Sequence, residues 1–302
     1  MTVTERPTWV DDTLFPFESC FVELDGNVVH YVDEGSGPVL LMLHSNPVWS
    51  FVYRDVITAL RTQFRCIALD FPGFGLSTGA PDYRHHADEH AELLVSFLDH
   101  LNLSEVTLIA HGWGGPLGLY AAEQRPGLFD RLILTNTWAW PLNGDLFSEV
   151  ASRGMGNPVG RALMRQFNPL VNYFIPTAHK RRKVSAAEMV HYRNTTSTPE
   201  QRRASAIQPG DLVGARAFFV DLVDRLGPVA KLPTLIVWGD TDLIFTDKYR
   251  KRLERTFPNH STTVLEGVGH YPMSDAPEEF AAAIRDWQTH SRRVDDSEIH
   301  DH

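Results

Sequence analysis

The chain has 302 residues, 43% hydrophobic and 22% charged, which is ordinary globular composition with material for a sizeable core. Its formal charge of −10 argues against a nucleic-acid partner, because phosphate neutralisation calls for a basic face. Two cysteines cannot build a disulfide framework, no basic-then-apolar leader opens the chain, and no run nears the roughly 20 apolar residues that span a bilayer, so a cytoplasmic protein with no membrane role is expected.

The first expected element is a β-hairpin over Phe21–Val32, turned at Asp25–Gly26, where glycine tolerates the positive φ of a two-residue loop. Six short apolar runs follow: "PVLLMLHS", "RCIALD" (with Cys66 as a small core residue), "VTLIAH", "RLILTNT", "PTLIVWG" and "TTVLEG". Continuous apolarity over so few residues predicts strands buried on both faces. Between them, "ADEHAELLVSFLDHLNL" places Leu93, Leu94, Phe97, Leu98 and Leu101 on one helical stripe. Strand–helix alternation predicts an α/β protein with an open, mostly parallel sheet flanked by helices.

The alternation stops between about 143 and 227, which is helical in pattern and has no convincing strand. Ser185–Glu188 ("SAAE") is a capping-box candidate, and the basic run Lys180–Lys183 reads as a solvated helix end. The expected organisation is therefore a core of residues 1–142 and 228–290 and a helical cap at 143–227. The cap would lie over the strand ends, where ligands of open α/β sheets bind. Residues 291–302 read as a solvated polar tail rather than a histidine metal site.

Five stretches fall at expected strand ends: "LHSNP" (Leu43–Pro47), "DFPGFGLS" (Asp70–Ser77), "AHGWGG" (Ala110–Gly115), "WGDTD" (Trp238–Asp242) and "GVGHYP" (Gly267–Pro272). In "AHGWGG" the strand turns sharply into a helix. Ala110 and Gly114 are the small flanking residues, Gly112 is the tip, and the Trp113 backbone N–H is expected to face a substrate at the helix N-terminus. Each piece alone has a plain structural reading: a tight turn, a turn-forming aspartate, a surface histidine. Together the order elbow, acid, histidine matches the α/β-hydrolase catalytic order, with His270 as the histidine. Asp242 is the preferred acid because it follows the strand-end glycine by three places; Asp240 competes.

On these residues the chain resembles the haloalkane dehalogenases, a branch of the α/β-hydrolase fold, over about Leu14 to Gln288. "LHSNPVWSFVYRDVI" is similar to the family's His-Gly-Asn-Pro-x-Trp-Ser stretch. "HGWGGPLGL" resembles its His-Asp-Trp-Gly-Gly elbow, and "GVGHYPMSDAPEEFAAAI" its histidine loop. "LTNTWAWP" and an acid at Asp242 look most like the third subfamily; in the second, a glutamate stands near Asn136 instead. There are two departures: Ser45 replaces a common glycine, and Gly112 replaces the nucleophilic aspartate.

The resemblance implies a hydrolase with no cofactor and no metal, acting on a small apolar haloalkane and releasing halide. An aspartate displaces halide to form an alkyl ester, and a histidine-activated water then opens the ester. It also implies that Asn46 and the Trp113 indole hold the halide. With Gly112 the first step has no carboxylate, so a folded but impaired or substrate-trapping chain is expected. Three alternatives stand beside this reading. One is a β-lactone decarboxylase of the same subfamily. Another is a His270–Asp242 dyad enzyme that needs no nucleophile, and the last is a non-catalytic ligand binder. The aromatic residues Phe147, Phe167, Tyr173, Phe174, Phe218 and Phe219 of the expected cap suggest an apolar ligand, although core packing would also account for most of them.

Overall fold

The computed structural model describes residues 5–300, with side chains through residue 289. Strands β1 (Cys20–Leu24) and β2 (Asn27–Glu34) form the expected hairpin. Its turn residues Asp25 and Gly26 take φ of 51° and 75°, the two positive values a mirror-image turn needs. The remaining strands are β3 (Val39–Leu43), β4 (Arg65–Leu69), β5 (Val106–Gly112), β6 (Phe129–Thr137), β7 (Thr234–Gly239) and β8 (His260–Leu265). They join one sheet in the order β1-β2-β4-β3-β5-β6-β7-β8. The β1–β2 and β2–β4 pairs are antiparallel, and every pair from β4 to β8 is parallel.

Helices cover both faces because the strands are apolar on both. Along β3, Leu41 and Leu43 enter one core cluster while Leu40 and Met42 enter the other. Along β5, Leu108 and Ala110 alternate with Ile109 in the same way. At about 1.5–3 kcal/mol for each fully buried large side chain, such two-faced strands hold the centre of the sheet, and so the loops at its ends, in place. One face carries α1 (Arg54–Leu60), and the other carries α2 (Ala87–Leu101) and α3 (Gly114–Gln124). The outermost strand departs from expectation: β8 is largely exposed, with only Leu265 buried, as an edge strand with one neighbour should be.

Between β6 and β7 the chain is helical and adds no strand to the sheet. It forms α4 (Leu146–Gly156), α5 (Pro158–Phe167), a π-helical turn at Leu170–Phe174, α6 (Ile175–Ala178), α7 (Ala186–Asn194), α8 (Arg203–Gly214) and α9 (Arg216–Arg225). The capping box at Ser185–Glu188 is present in full. The basic run is not a free helix end. The backbone N–H groups of Lys180, Arg181 and Arg182 all donate to the buried Asp275 carboxylate, and Arg182 also bonds Glu188. Glu188 reaches on to Arg54, which anchors this segment to the N-terminal half of the sheet domain.

After β7 come α10 (Asp247–Thr256), α11 (Pro272–Asp275) and α12 (Pro277–His300). The backbone of α12 runs through most of the segment read as a polar tail; the side chains there lie outside the described residues. No described helix is long and apolar enough to cross a membrane.

Candidate active site

Five loops converge at the carboxyl ends of the parallel strands. The β5–α3 turn is the tightest. Gly112 has φ +50°, a left-handed conformation that L side chains rarely adopt. Two residues on, Gly114 lies so close to β3 that a Cβ there would be 2.5 Å from the Leu43 carbonyl oxygen, which explains the small flanking residue. Thr137 Oγ1, at the end of β6, donates to the Gly112 carbonyl at 2.6 Å and fixes the turn from the other side.

The β7 and β8 loops supply the acid and the histidine. His270 Nδ1 meets Asp242 Oδ2 at 2.7 Å, and both residues are buried. The same carboxylate oxygen accepts Asn136 Nδ2 at 2.9 Å, while Oδ1 accepts the Ile244 N–H at 2.8 Å. Asp240 is excluded as the partner, since its carboxylate faces outward and caps the Gly267 N–H. With Nδ1 bound to Asp242, Nε2 is the ring nitrogen left for chemistry. The ring is wedged between Phe174 and Phe245, with centroids 5.2 and 5.7 Å away.

Two further histidines hold this geometry, and the motifs singled out neither as functional. His111, just before the elbow, donates from Nε2 to the His270 carbonyl at 2.8 Å and ties the two loops together. Burial pushes its pKa well below the ordinary imidazole value, so it stays neutral. His44 donates from Nδ1 to the Ser45 carbonyl and accepts the Phe71 N–H at Nε2, both at 3.0 Å. Its pKa is likewise lowered by burial. Asn136 was the third omission. At φ +38° it bonds the Gly239 N–H and carbonyl as well as Asp242, and so sets the start of the acid loop. Nothing in the local pattern distinguishes it from other strand-end asparagines.

The Trp113 backbone N–H and the Asn46 amide each have a protein partner. The Trp113 backbone N–H does not face open space; it donates to Ser45 Oγ at 3.1 Å. Asn46 Nδ2 donates to the Ser205 carbonyl at 3.1 Å, and Ser205 Oγ donates back to Asn46 Oδ1 at 2.8 Å, so one amide hydrogen of Asn46 remains. The Trp113 ring packs edge-on against Trp138 at 4.9 Å.

Ser45, Asn46, Trp113 and His270 line one small cavity of roughly 140 Å³. Its other walls are apolar, from Trp138, Leu142, Phe147, Met155 and Phe174 among others. Of the six aromatic residues expected to shape an apolar site, Phe147 and Phe174 line this cavity. Phe219 is core packing against Trp113 and Trp138, Phe218 packs on Tyr120, and Phe167 and Tyr173 are exposed. A larger open groove, about 680 Å³ and lined by His86, Tyr120, Asp211 and Phe218, shares no residue with it.

A parallel sheet with an elbow after β5, an acid after β7 and a histidine after β8 defines a hydrolase-fold protein. Residues 38–277 match the family model described as alpha/beta hydrolase fold, and the chain belongs to that family. Within it, the chain is 39% identical over 277 residues to Haloalkane dehalogenase 2 of Mycobacterium tuberculosis, covering 91% of this chain and 96% of the relative. It therefore belongs to the haloalkane dehalogenase family. It is also 32% identical to the cis-3-alkyl-4-alkyloxetan-2-one decarboxylase of Shewanella oneidensis, over 94% of this chain and 92% of that one. The fold matches the crystal structure of haloalkane dehalogenase DbeA from Bradyrhizobium elkani with a TM-score of 0.84 at 23% identity, covering 92% and 99% of the two chains.

Proposed function

We propose that this chain is a dehalogenase-type hydrolase that keeps the water-activating half of its site and lacks the half that displaces halide. The carrying observation is the buried 2.7 Å His270–Asp242 pair in a cavity whose elbow residue is Gly112. His270 Nε2 is the base, and Asp242 holds its tautomer and stabilises the imidazolium. Asn46 and the Trp113 indole are the anion donors. Residues 143–227 act as a cap, because Phe147, Phe174 and Leu212 from that segment close the cavity over the strand ends. Haloalkanes are the substrates named by the relatives at 39% identity, and they suit the small apolar cavity. The β-lactone reading ranks second, at 32% identity.

With no carboxylate at position 112, no alkyl ester can form, and halide release is strongly impaired. Restoring it takes two changes. A Cβ at position 112 would fall 2.6 Å from the Ser45 Cβ and closer still to its hydroxyl. The Gly112→Asp, Ser45→Gly double variant is therefore expected to release bromide from 1-bromobutane at least about 10²-fold faster than the native chain. Gly112→Asp alone should gain less. If the native chain already turns over bromobutane as fast as the double variant, the reading fails.

A further inference from the structure

The two departures from the family pattern meet at one point in space. The side chain that an elbow residue would place in the cavity from β5 is replaced by the Ser45 side chain, which reaches the same volume from the β3 loop. We propose that Ser45 is the nucleophile of this site, and that the site hydrolyses small apolar carboxylic esters through an acyl-Ser45 intermediate. The proposal rests on the reading of His270 as the base.

Several observations place Ser45 in that role. It is buried, lines the same cavity as His270, and is held by the His44 bond to its own carbonyl. Its Oγ accepts the Trp113 N–H from the start of α3, a donor that stabilises negative charge on that oxygen. Among the described residues the Ser45 hydroxyl donates to no protein acceptor, so its proton is not committed elsewhere and passes to His270 Nε2 within the cavity both residues line. His270 offers Nε2, because Nδ1 is bound to Asp242.

The choice of a serine also selects the reaction. Displacing halide from an alkyl carbon with a hydroxyl would leave an alkyl ether on the protein. An ether has no carbonyl carbon for water to attack, so that path ends after one event. At an ester, Oγ bonds to the carbonyl carbon and its proton passes to His270 Nε2. The carbon–alkoxy bond then breaks, and the alkoxide takes the proton and leaves as the alcohol. Water next gives a proton to His270 and attacks the acyl carbon. Oγ departs, recovers that proton, and the carboxylic acid is released. The remaining Asn46 amide hydrogen and the Trp113 indole are the donors for the carbonyl oxygen. A cavity of roughly 140 Å³ suits acetyl to butyryl groups.

The test uses the full-length chain with p-nitrophenyl acetate and butyrate, and a fluorophosphonate probe followed by peptide mass spectrometry. The expected results are phosphonylation of the peptide carrying Ser45 and a loss of hydrolysis of about 10²-fold or more in Ser45→Ala. Ser45→Cys, which keeps a nucleophile at the same point, should be alkylated there by iodoacetamide and keep partial esterase activity. No label at Ser45, or a Ser45→Ala rate within about threefold of the native rate, overturns the proposal. If that outcome is joined by loss of hydrolysis in His270→Ala, the Ser45 role falls and the base stands. Hydrolysis that survives both substitutions removes the base as well.

Discussion

The two sides of the strand-end site are built differently. At β7 and β8, acid and histidine are locked in place: Asp242 has three donors, and His270 is held by Asp242, by two aromatic rings and through its carbonyl by His111. At β3 and β5 the turn has a positive φ and a close-packed glycine, its tip residue is Gly112, and the Ser45 side chain from the neighbouring loop lies where a Cβ at that tip would point. The turn exists because of strand and helix packing, not because of the group it carries. The turn can therefore form with glycine at its tip, whereas the acid–histidine pair is itself part of the buried hydrogen-bond network.

The largest effect should come from the locked side. Asp242→Asn is expected to lower ester hydrolysis by the native chain, and bromide release by the Gly112→Asp, Ser45→Gly variant, by about 10²-fold or more. Asp240→Asn, whose carboxylate only caps Gly267, should leave both rates within about twofold, the scale of a surface change. Equal losses at the two aspartates would erase the distinction between them.

The β3/β5 side should respond in stability. Gly112→Ala places a Cβ at φ +50° against Ser45, costing about 1–3 kcal/mol of backbone strain plus a similar amount for overlap. In a Ser45→Gly background the overlap disappears and the strain remains. Urea denaturation of the four chains should then give a coupling of about 1–3 kcal/mol. Additive effects would mean that the two positions do not share space.

The smallest effect tests the joint between the sides. Burial lowers the pKa of His111, so the folded chain keeps it neutral while the unfolded chain protonates near the ordinary value. Its contribution is complete above about pH 6.5 and is lost as pH falls below that, by at most about 1.4 kcal/mol per pH unit. Buried His44 and His90 act in the same direction. His111→Gln keeps a donor for the His270 carbonyl and removes one titrating group. Its urea midpoint should therefore fall less between pH 7.5 and 5.5 than that of the native chain.

The linear sequence carried the strands, their mostly parallel order, the long helical interruption and the acid–histidine pair, because each is written in local periodicity or in short motifs at strand ends. It also showed that position 112 has no side chain. It did not show that Ser45 fills the gap, that the Trp113 N–H is used there, or that one Asn46 amide hydrogen is taken by Ser205. It read Lys180–Lys183 as a solvated helix end, and the side chains of Lys180, Arg181 and Lys183 are exposed, but it did not show that the backbone N–H groups of Lys180, Arg181 and Arg182 wrap the Asp275 carboxylate. These contacts join residues 67 to 159 positions apart, and no local pattern encodes them. They follow from the pairing of β3 beside β5 and from contacts between the helical segment and the rest of the chain, which only the packed structure decides.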